Sequence, residues 1–482
     1  MNENSITKNA ILNGCRNLLN LIFPLITFPY VSRTLLVEEL GQYNFANTFV
    51  GYFTMLAALG IETYAVREGA KYRSDPKAFS RFVSQIFSIN VVSTALSYLL
   101  MFLLTFFSEA FADYRALIVI LGLQILFTTI GTEWVYTACE DYTYITVRSI
   151  VFRVLSIVLM FVLVRAPGDV LQYAAVITFA TVGSGICNAL HLRRFCHLHF
   201  SVHIDWKRHL PPVLVIFASN IAIWVYVNSD ITMLGFLKSD YEVGIYSVST
   251  KIYSIVKGLL SAVLLVTIPR FSQFLGLGKT KEFRSLLARL LAVMSALTLP
   301  AITGLFMLSR DVVLCISGEK YLQAQWSLEI LCFALLFAMY GWILNSCVLI
   351  PAKREKLVLR SSVISAVLNV GLNFIFIPLW AERGAAFTTL LSEALMTVLN
   401  TWNARDLLHG LLREYQLPRE ILTSLLSCAG IVAVCWFCGL HIQSQWIRVA
   451  VSVPVSAAVY GGLLLVTGNK AVREMVKMRT GE

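Results

Sequence analysis

Residues 82–106 read FVSQIFSINVVSTALSYLLMFLLTF, twenty-five positions without one charged side chain. As an α-helix rising about 1.5 Å per residue, such a run is about 37 Å long, enough to cross a bilayer core of about 30 Å with some tilt. It lacks the alternation of a barrel strand, and lipid offers no partner to an unpaired backbone, so it predicts a transmembrane helix. The rest of the chain reads the same way. Of its 482 residues, 57% are hydrophobic and 14% charged. A soluble chain keeps about a quarter of its residues charged to cover its surface.

Comparable runs predict fourteen spans. The first seven lie near 12–34, 43–64, 82–106, 116–138, 146–165, 170–192 and 212–236. The second seven lie near 244–268, 285–308, 325–350, 357–379, 385–404, 420–440 and 446–467. The predicted fold class is an all-α integral membrane protein. At about 21 residues per span, the connections average about a dozen residues, which leaves no room for a soluble catalytic domain.

The net charge of +11 raises nucleic acid as a partner, but the cations are distributed by topology instead. With the N-terminus taken as cytoplasmic, even connections and tails hold 28 Lys and Arg and the opposite side 8, so both termini are expected in the cytoplasm and nucleic acid is excluded. No small-residue cleavage site precedes the first span, which is read as the insertion signal. Eight of the ten cysteines lie in or beside apolar runs, as small buried hydrophobes do.

The halves repeat. Glu39-Leu40-Gly41-Gln42-Tyr43 returns as Glu242-Val243-Gly244-Ile245-Tyr246, Trp134 as Trp342, and Val147-Arg148-Ser149 as Leu359-Arg360-Ser361. Six spans separate the copies, so both run in the same direction through the membrane, a parallel duplication common in transporters. This divides the chain into a first lobe, 1–210 (spans 1–6), a second, 211–410 (spans 7–12), and a tail, 411–482, with spans 13 and 14.

Charged groups inside spans are costly unless they face water or a partner, which makes them functional candidates. Glu62, Glu133, Asp230, Glu329 and Glu393 are such acids, and Arg33, Arg153, Lys251 and Lys257 such cations. Glu62, Arg33 and Arg153 are near enough to span ends to snorkel. Span 8 carries Ser247, Thr250, Lys251, Ser254, Lys257 and Ser261 at steps of three and four, one polar stripe that lipid would not tolerate. Span 7 carries Asn220, Trp224 and Asn228; span 1 carries Arg16, Asn17 and Asn20; span 2 carries Asn47. The expectation is a water-filled cavity lined by spans 1, 2, 7 and 8, with interhelical hydrogen-bond glue as the alternative. Such an inventory suits an anionic, hydroxyl-rich cargo: cations for phosphate, aromatic faces for sugar rings, amides for hydroxyls. Cys196, His197, His199, His203 and His209 form no convincing metal set, and no Walker-type loop is present, so no metal, no cofactor and no catalytic residue is expected.

Together these strings resemble the polysaccharide-biosynthesis oligosaccharide flippases of the multidrug/oligosaccharidyl-lipid/polysaccharide exporter superfamily. The resemblance runs through Phe28-Pro29-Tyr30-Val31-Ser32-Arg33, both Glu-x-Gly-x-Tyr copies, Gly60 to Glu68, Val147-Arg148-Ser149, Asp230, Asn369, Asn373, Ile377-Pro378, Gly384-Ala385-Ala386 and Glu393. It implies two pseudo-symmetric six-helix lobes in a V, with two added helices, in a bacterial inner membrane. The implied cargo is undecaprenyl-pyrophosphate-linked oligosaccharide, moved by alternating access with H+ or Na+ coupling, beside a polysaccharide polymerase and a chain-length regulator. The resemblance points to Arg33, Arg67, Asp230 and Lys251, of which Arg33 and Lys251 are read on the substrate and Asp230 on the coupling ion. Thr27 stands where the repeat would place a counterpart of Asp230. Two other readings stand beside it, a multidrug exporter of the same superfamily and a membrane-embedded polysaccharide polymerase.

Overall fold

The computed structural model describes residues 23–265, 267–411 and 416–469, and among them every regular element is helical. In chain order they begin with α1 (23–34), α2 (Val37–Ala58), α3 (Ile61–Gly69), α4 (Pro76–Phe107), α5 (Arg115–Gly131) and α6 (Glu133–Ala138). Next come α7 (Tyr142–Leu163), α8 (Val170–His191), α9 (Trp206–Leu237) and α10 (Asp240–Leu265). The series continues with α11 (Ile268–Gly276), α12 (Thr280–Met307), α13 (Ser309–Ser317), α14 (Ala324–Ile343) and α15 (Glu355–Asn403). The helices Leu417–His441 and Gln445–Val466 follow.

Local chemistry sets several of these ends. α4 begins where Asp75 accepts from the amides of Lys77 (2.9 Å) and Ala78 (3.1 Å), with Pro76 in the first turn, where a missing N–H costs nothing. Hydropathy alone misses the breaks. The run expected as span 2 stops at Leu59 (φ 46°) and Gly60 (φ 73°), and that expected as span 4 stops at Thr132 (φ 39°). A Cβ on Gly60 would fall 2.6 Å from Ile216, so glycine serves both the left-handed turn and the approach of α9.

A 49-residue helix would be about 73 Å long, twice what a bilayer accommodates. α15 solves this by turning at Ala381 (φ 47°, ψ −124°). Contacts nest around that residue: Asn373 with Thr388, Phe376 with Phe387 at 5.2 Å between rings, and Asn403 Nδ2 donating to Ser361 Oγ at 3.0 Å. The two arms therefore form an antiparallel hairpin and match two expected spans. Eleven helices in the described residues are long and apolar enough to cross a membrane, or twelve if α10 and α11 form one bent span. That count enters the hairpin once. The expected number, fourteen, is not fixed by it, because residues 1–22 lie outside the described part.

The chain forms two compact units, one running to Gly235 and including Ser239–Gly244, the other holding Phe236–Lys238 and the chain from Ile245. α9 thus belongs with the first unit up to Gly235, whereas the repeat alone opens the second lobe at 211. In the first unit, Ile61, Tyr64, Phe79, Phe82, Trp134 and Val213 bury one another in a core joining α3, α4, α6 and α9. An extended segment lies along α4: Ser80, Ser84 and Ser88, one turn apart, accept from the amides of His197 (3.4 Å), His199 (3.4 Å) and Ser201 (2.8 Å). His209 is buried and meets Tyr64 Oη (2.8 Å) and Gln85 Oε1 (2.9 Å). In the second unit the last two helices pack on α12 through Ala296, Cys428, Ile431, Cys435 and Tyr460. Arg448 clamps Asp311 with contacts of 3.0 and 3.1 Å.

The duplicated Glu-x-Gly-x-Tyr strings meet each other. A Cβ on Gly41 would fall 1.8 Å from the carbonyl oxygen of Asp240, four residues before Gly244; a Cβ on Gly244 would fall 2.2 Å from that of Val37, four residues before Gly41. Each glycine rests on the other copy's helix at the same register. The tyrosines keep equivalent neighbours within their own units: Tyr43 lies 4.5 Å from the ring of Tyr173 on α8, and Tyr246 Oη lies 3.4 Å from Thr389 Oγ1 in the second arm of α15.

Candidate functional site

Of the residues singled out in the sequence, Arg16, Asn17 and Asn20 lie outside the described part. Arg33 is exposed at the end of α1, Arg67 is exposed on α3 and pairs with Glu68 at 3.5 Å, and Asn47 is half-buried on α2. Three others come together. Asn220, Trp224 and Asn228, one turn apart on α9, line a cavity of about 330 Å³ with Met55, Ile223 and Val227. A Cβ on Gly51 would lie 2.2 Å from the Trp224 ring, so glycine on α2 is what lets the indole come this close. Trp224 Nε1 is buried and bonds to nothing among the described residues. Asn228 returns its Nδ2 to the Trp224 carbonyl at 3.0 Å. This largely apolar cavity thus gathers one indole and two amides among aliphatic side chains.

Asp230, half a turn further, is 5% exposed. Its neighbour Tyr52 bonds to Thr232 Oγ1 at 3.0 Å. Both Asp230 and Lys251 engage other groups, and Lys251 is half-buried on α10.

Lys257 is not a lone cavity cation. Its Nζ pairs with Glu393 Oε1 at 3.3 Å and lies 5.4 Å from the centre of the Tyr253 ring. Both residues were legible as embedded charges, but nothing in the sequence joins α10 to the second arm of α15. The rest of the span 8 stripe divides: Thr250 and Ser261 bond back to their own helix, and Ser247 is buried.

A second polar cluster was legible only in part, through Glu133 and Arg153 as embedded charges. Arg148, counted as a topogenic charge in a short connection, is buried within α7. Its guanidinium bonds Glu133 Oε2 at 2.7 Å and the side-chain oxygen of Asn188. Arg153, expected to snorkel, stands 5.7 Å from the centre of the Phe23 ring. These groups line a cavity of about 210 Å³ between α5, α7 and α8, together with Thr128, Ser149, Thr181 and Ser184.

Polar cavities inside apolar helices, in a duplicated bundle, define a membrane-embedded transporter. The polysaccharide biosynthesis protein model matches residues 6–275, more than half the chain. The chain belongs to that family. A MatE model matches residues 216–375. A protein of Escherichia coli (strain K12) named "Putative O-antigen transporter" is 25% identical over 408 residues, 83% of this chain and 96% of its own. The Haloferax volcanii protein named "Probable flippase AglR" is 27% identical over 260 residues, 52% of each chain. Among solved structures, the lipid II flippase MurJ in an inward closed conformation superposes with TM-score 0.76 at 14% identity, covering 98% of this chain and 100% of that one. An inward-facing multidrug resistance MATE family transporter gives TM-score 0.63 at 13% identity, over 84% and 99% of the two chains. These likenesses are of fold. The relatives and neighbours named here are transporters and flippases, none of them an enzyme.

Proposed function

We propose that the chain is a flippase that moves undecaprenyl-pyrophosphate-linked oligosaccharide units across a bacterial inner membrane by alternating access, for surface polysaccharide assembly. Family membership and the transporter names of its relatives support a lipid-linked glycan as cargo. The observation that carries the reading is Trp224, whose indole lines one cavity with Asn220 and Asn228 and whose N–H has no acceptor among the described residues. A sugar ring can stack on that plane while its hydroxyls exchange bonds with the amides. Lys251 supplies a cation for the pyrophosphate, with Lys257 and Arg33 as further candidates, and Asp230 is the candidate for coupling to H+ or Na+. The excess of Lys and Arg on the even connections supports cytoplasmic termini. A polymerase and a chain-length regulator are the partners this role would need.

Complementation of a flippase-deficient strain, with membrane abundance followed in parallel, tests the reading. Lys251→Ala is expected to abolish export with abundance nearly unchanged, and Lys251→Arg to restore part of it, since a guanidinium also bonds phosphate. Normal surface polysaccharide from Lys251→Ala would remove this lysine from the site. The MatE match favours a second outcome: a chain that exports cationic dyes and leaves lipid-linked oligosaccharide in place would be a drug exporter.

A further inference from the structure

The cavity between α5, α7 and α8 is larger than its ion pair requires. Polar glue between helices ends in closed, mutually satisfied groups. Here Arg148, Glu133 and Asn188 satisfy one another on one wall, while about 210 Å³ remains open in front of them. Glycines hold the space in shape. A Cβ on Gly185 would lie 2.4 Å from the carbonyl oxygen of Phe127, so α5 and α8 touch there, and one on Gly183 would lie 2.1 Å from the Phe152 ring. α5 and α8 meet at that backbone contact and the cavity opens beside it, with Phe127 and Phe152 among its walls.

The hydroxyls on the remaining wall differ from the many that are satisfied within their own helix. Thr27, Thr34, Thr54, Ser88, Thr129 and Thr232 all donate back to the carbonyl four residues earlier. Such back-bonds are the ordinary way for a Ser or Thr to be satisfied inside a helix. Thr128, Thr181 and Ser184 border the cavity and make no hydrogen bond among the described residues. Arg148 Nε, on a side chain 5% exposed, is likewise without an acceptor.

We infer that this cavity is a second binding site, within the first unit, for one sugar ring of the oligosaccharide cargo. A phosphate accepts hydrogen bonds only and would face the Glu133 carboxylate. A sugar hydroxyl both donates and accepts, which matches a wall carrying a carboxylate, a guanidinium, an amide and three free hydroxyls. The volume is below the usual 300–1,000 Å³ of drug-sized pockets and suits a single ring. The inference rests on the flippase reading for its ligand.

Saturation-transfer NMR on the purified full-length chain in micelles tests it. The probe is the repeat-unit oligosaccharide released by mild acid from the lipid carrier of the host strain. Saturation is expected to reach the ring protons of one sugar residue and to fall at least threefold in the Thr181→Val, Ser184→Ala double variant. That variant removes two hydroxyls that hold no other element, so its unfolding midpoint should match the parent's. Equal transfer in the variant and the parent overturns the inference, and so does displacement of the signal by equimolar inorganic phosphate, which would reassign the cavity. Absence of transfer from a parent protein that translocates lipid-linked oligosaccharide in proteoliposomes removes this site and leaves the flippase reading intact. Absence of translocation itself defeats the reading on which both stand.

Discussion

In the first unit Arg148 is buried and held by several partners at once; in the second Lys257 is half-buried and held by one carboxylate and one tyrosine. Arg148 reaches Glu133 at 2.7 Å and Asn188 through different nitrogens, and its side chain is 5% exposed. Lys257 reaches Glu393 at 3.3 Å with its side chain 31% exposed, and turns its remaining charge toward Tyr253. A planar fork with fixed donors is suited to the first arrangement, and a compact ammonium on a flexible stem to the second. The difference separates a group that keeps helices in register from one that water or cargo can reach.

The largest expected effect breaks the comparison if it fails. Arg148→Leu removes the charge-assisted bonds that join Glu133 on α6 and Asn188 on α8 to α7, and is expected to cost roughly 3 kcal/mol, seen as lost membrane abundance and a lower unfolding midpoint in detergent. Parental abundance would show that the first pair is no more structural than the second. Next come the charge-preserving exchanges. Arg148→Lys should lose about 1.5 to 3 kcal/mol, because one ammonium cannot serve Asn188 and Glu133 in the same geometry, whereas Lys257→Arg should match the parent in abundance. Lys257→Ala is expected to keep at least half the parental abundance, since the lysine side chain is 31% exposed and water can enter the space it leaves, and to lower export. A protein lost as completely as Arg148→Leu would place both pairs in one class.

The smallest effect lies outside the spans and sets a scale for exposed pairs. Arg354 bonds Asp406 at 2.6 and 2.7 Å, and holds its carboxyl down at about 2. The folded value is below the ordinary 3.8, so the contribution is present above pH 4 and disappears as pH falls toward 2. Asp406 is half exposed, and solvent screening leaves about 0.5 kcal/mol. Asp406→Asn should therefore flatten the acid limb of a stability profile and change little at neutral pH.

Long apolar runs were enough to read the helical bundle, because the cost of burying backbone and charge in lipid falls on each residue, and the recurring Glu-x-Gly-x-Tyr strings were enough to read its duplication. Where the helices break was not legible. Leu59, Thr132 and Ala381 take positive φ without being glycine, and their conformations are imposed by packing rather than by local preference. The three amide and aromatic residues on α9 were legible because a turn-by-turn spacing brings them to one cavity wherever the helix sits. Arg148 was not. Its sequence neighbours look like a connection, and its partners Glu133 and Asn188 lie 15 and 40 residues away on other helices. The repeat does not supply the signal: Arg360 matches Arg148 and Asn400 matches Asn188 at an offset of 212, yet Arg360 is exposed and the Asn400 amide bonds to nothing among the described residues.

The crossing of Gly41 and Gly244 has a consequence for ancestry. Residue for residue it is isologous: each glycine meets the backbone oxygen four positions before the other, as the two members of a symmetric dimer would meet across a twofold axis. A half-length chain with a single Glu-x-Gly-x-Tyr string could close the same contact with another copy of itself. Gene fusion would then preserve the seam while freeing each side to change alone. The partners of the two motif tyrosines have already done so, one a tyrosine and the other a threonine.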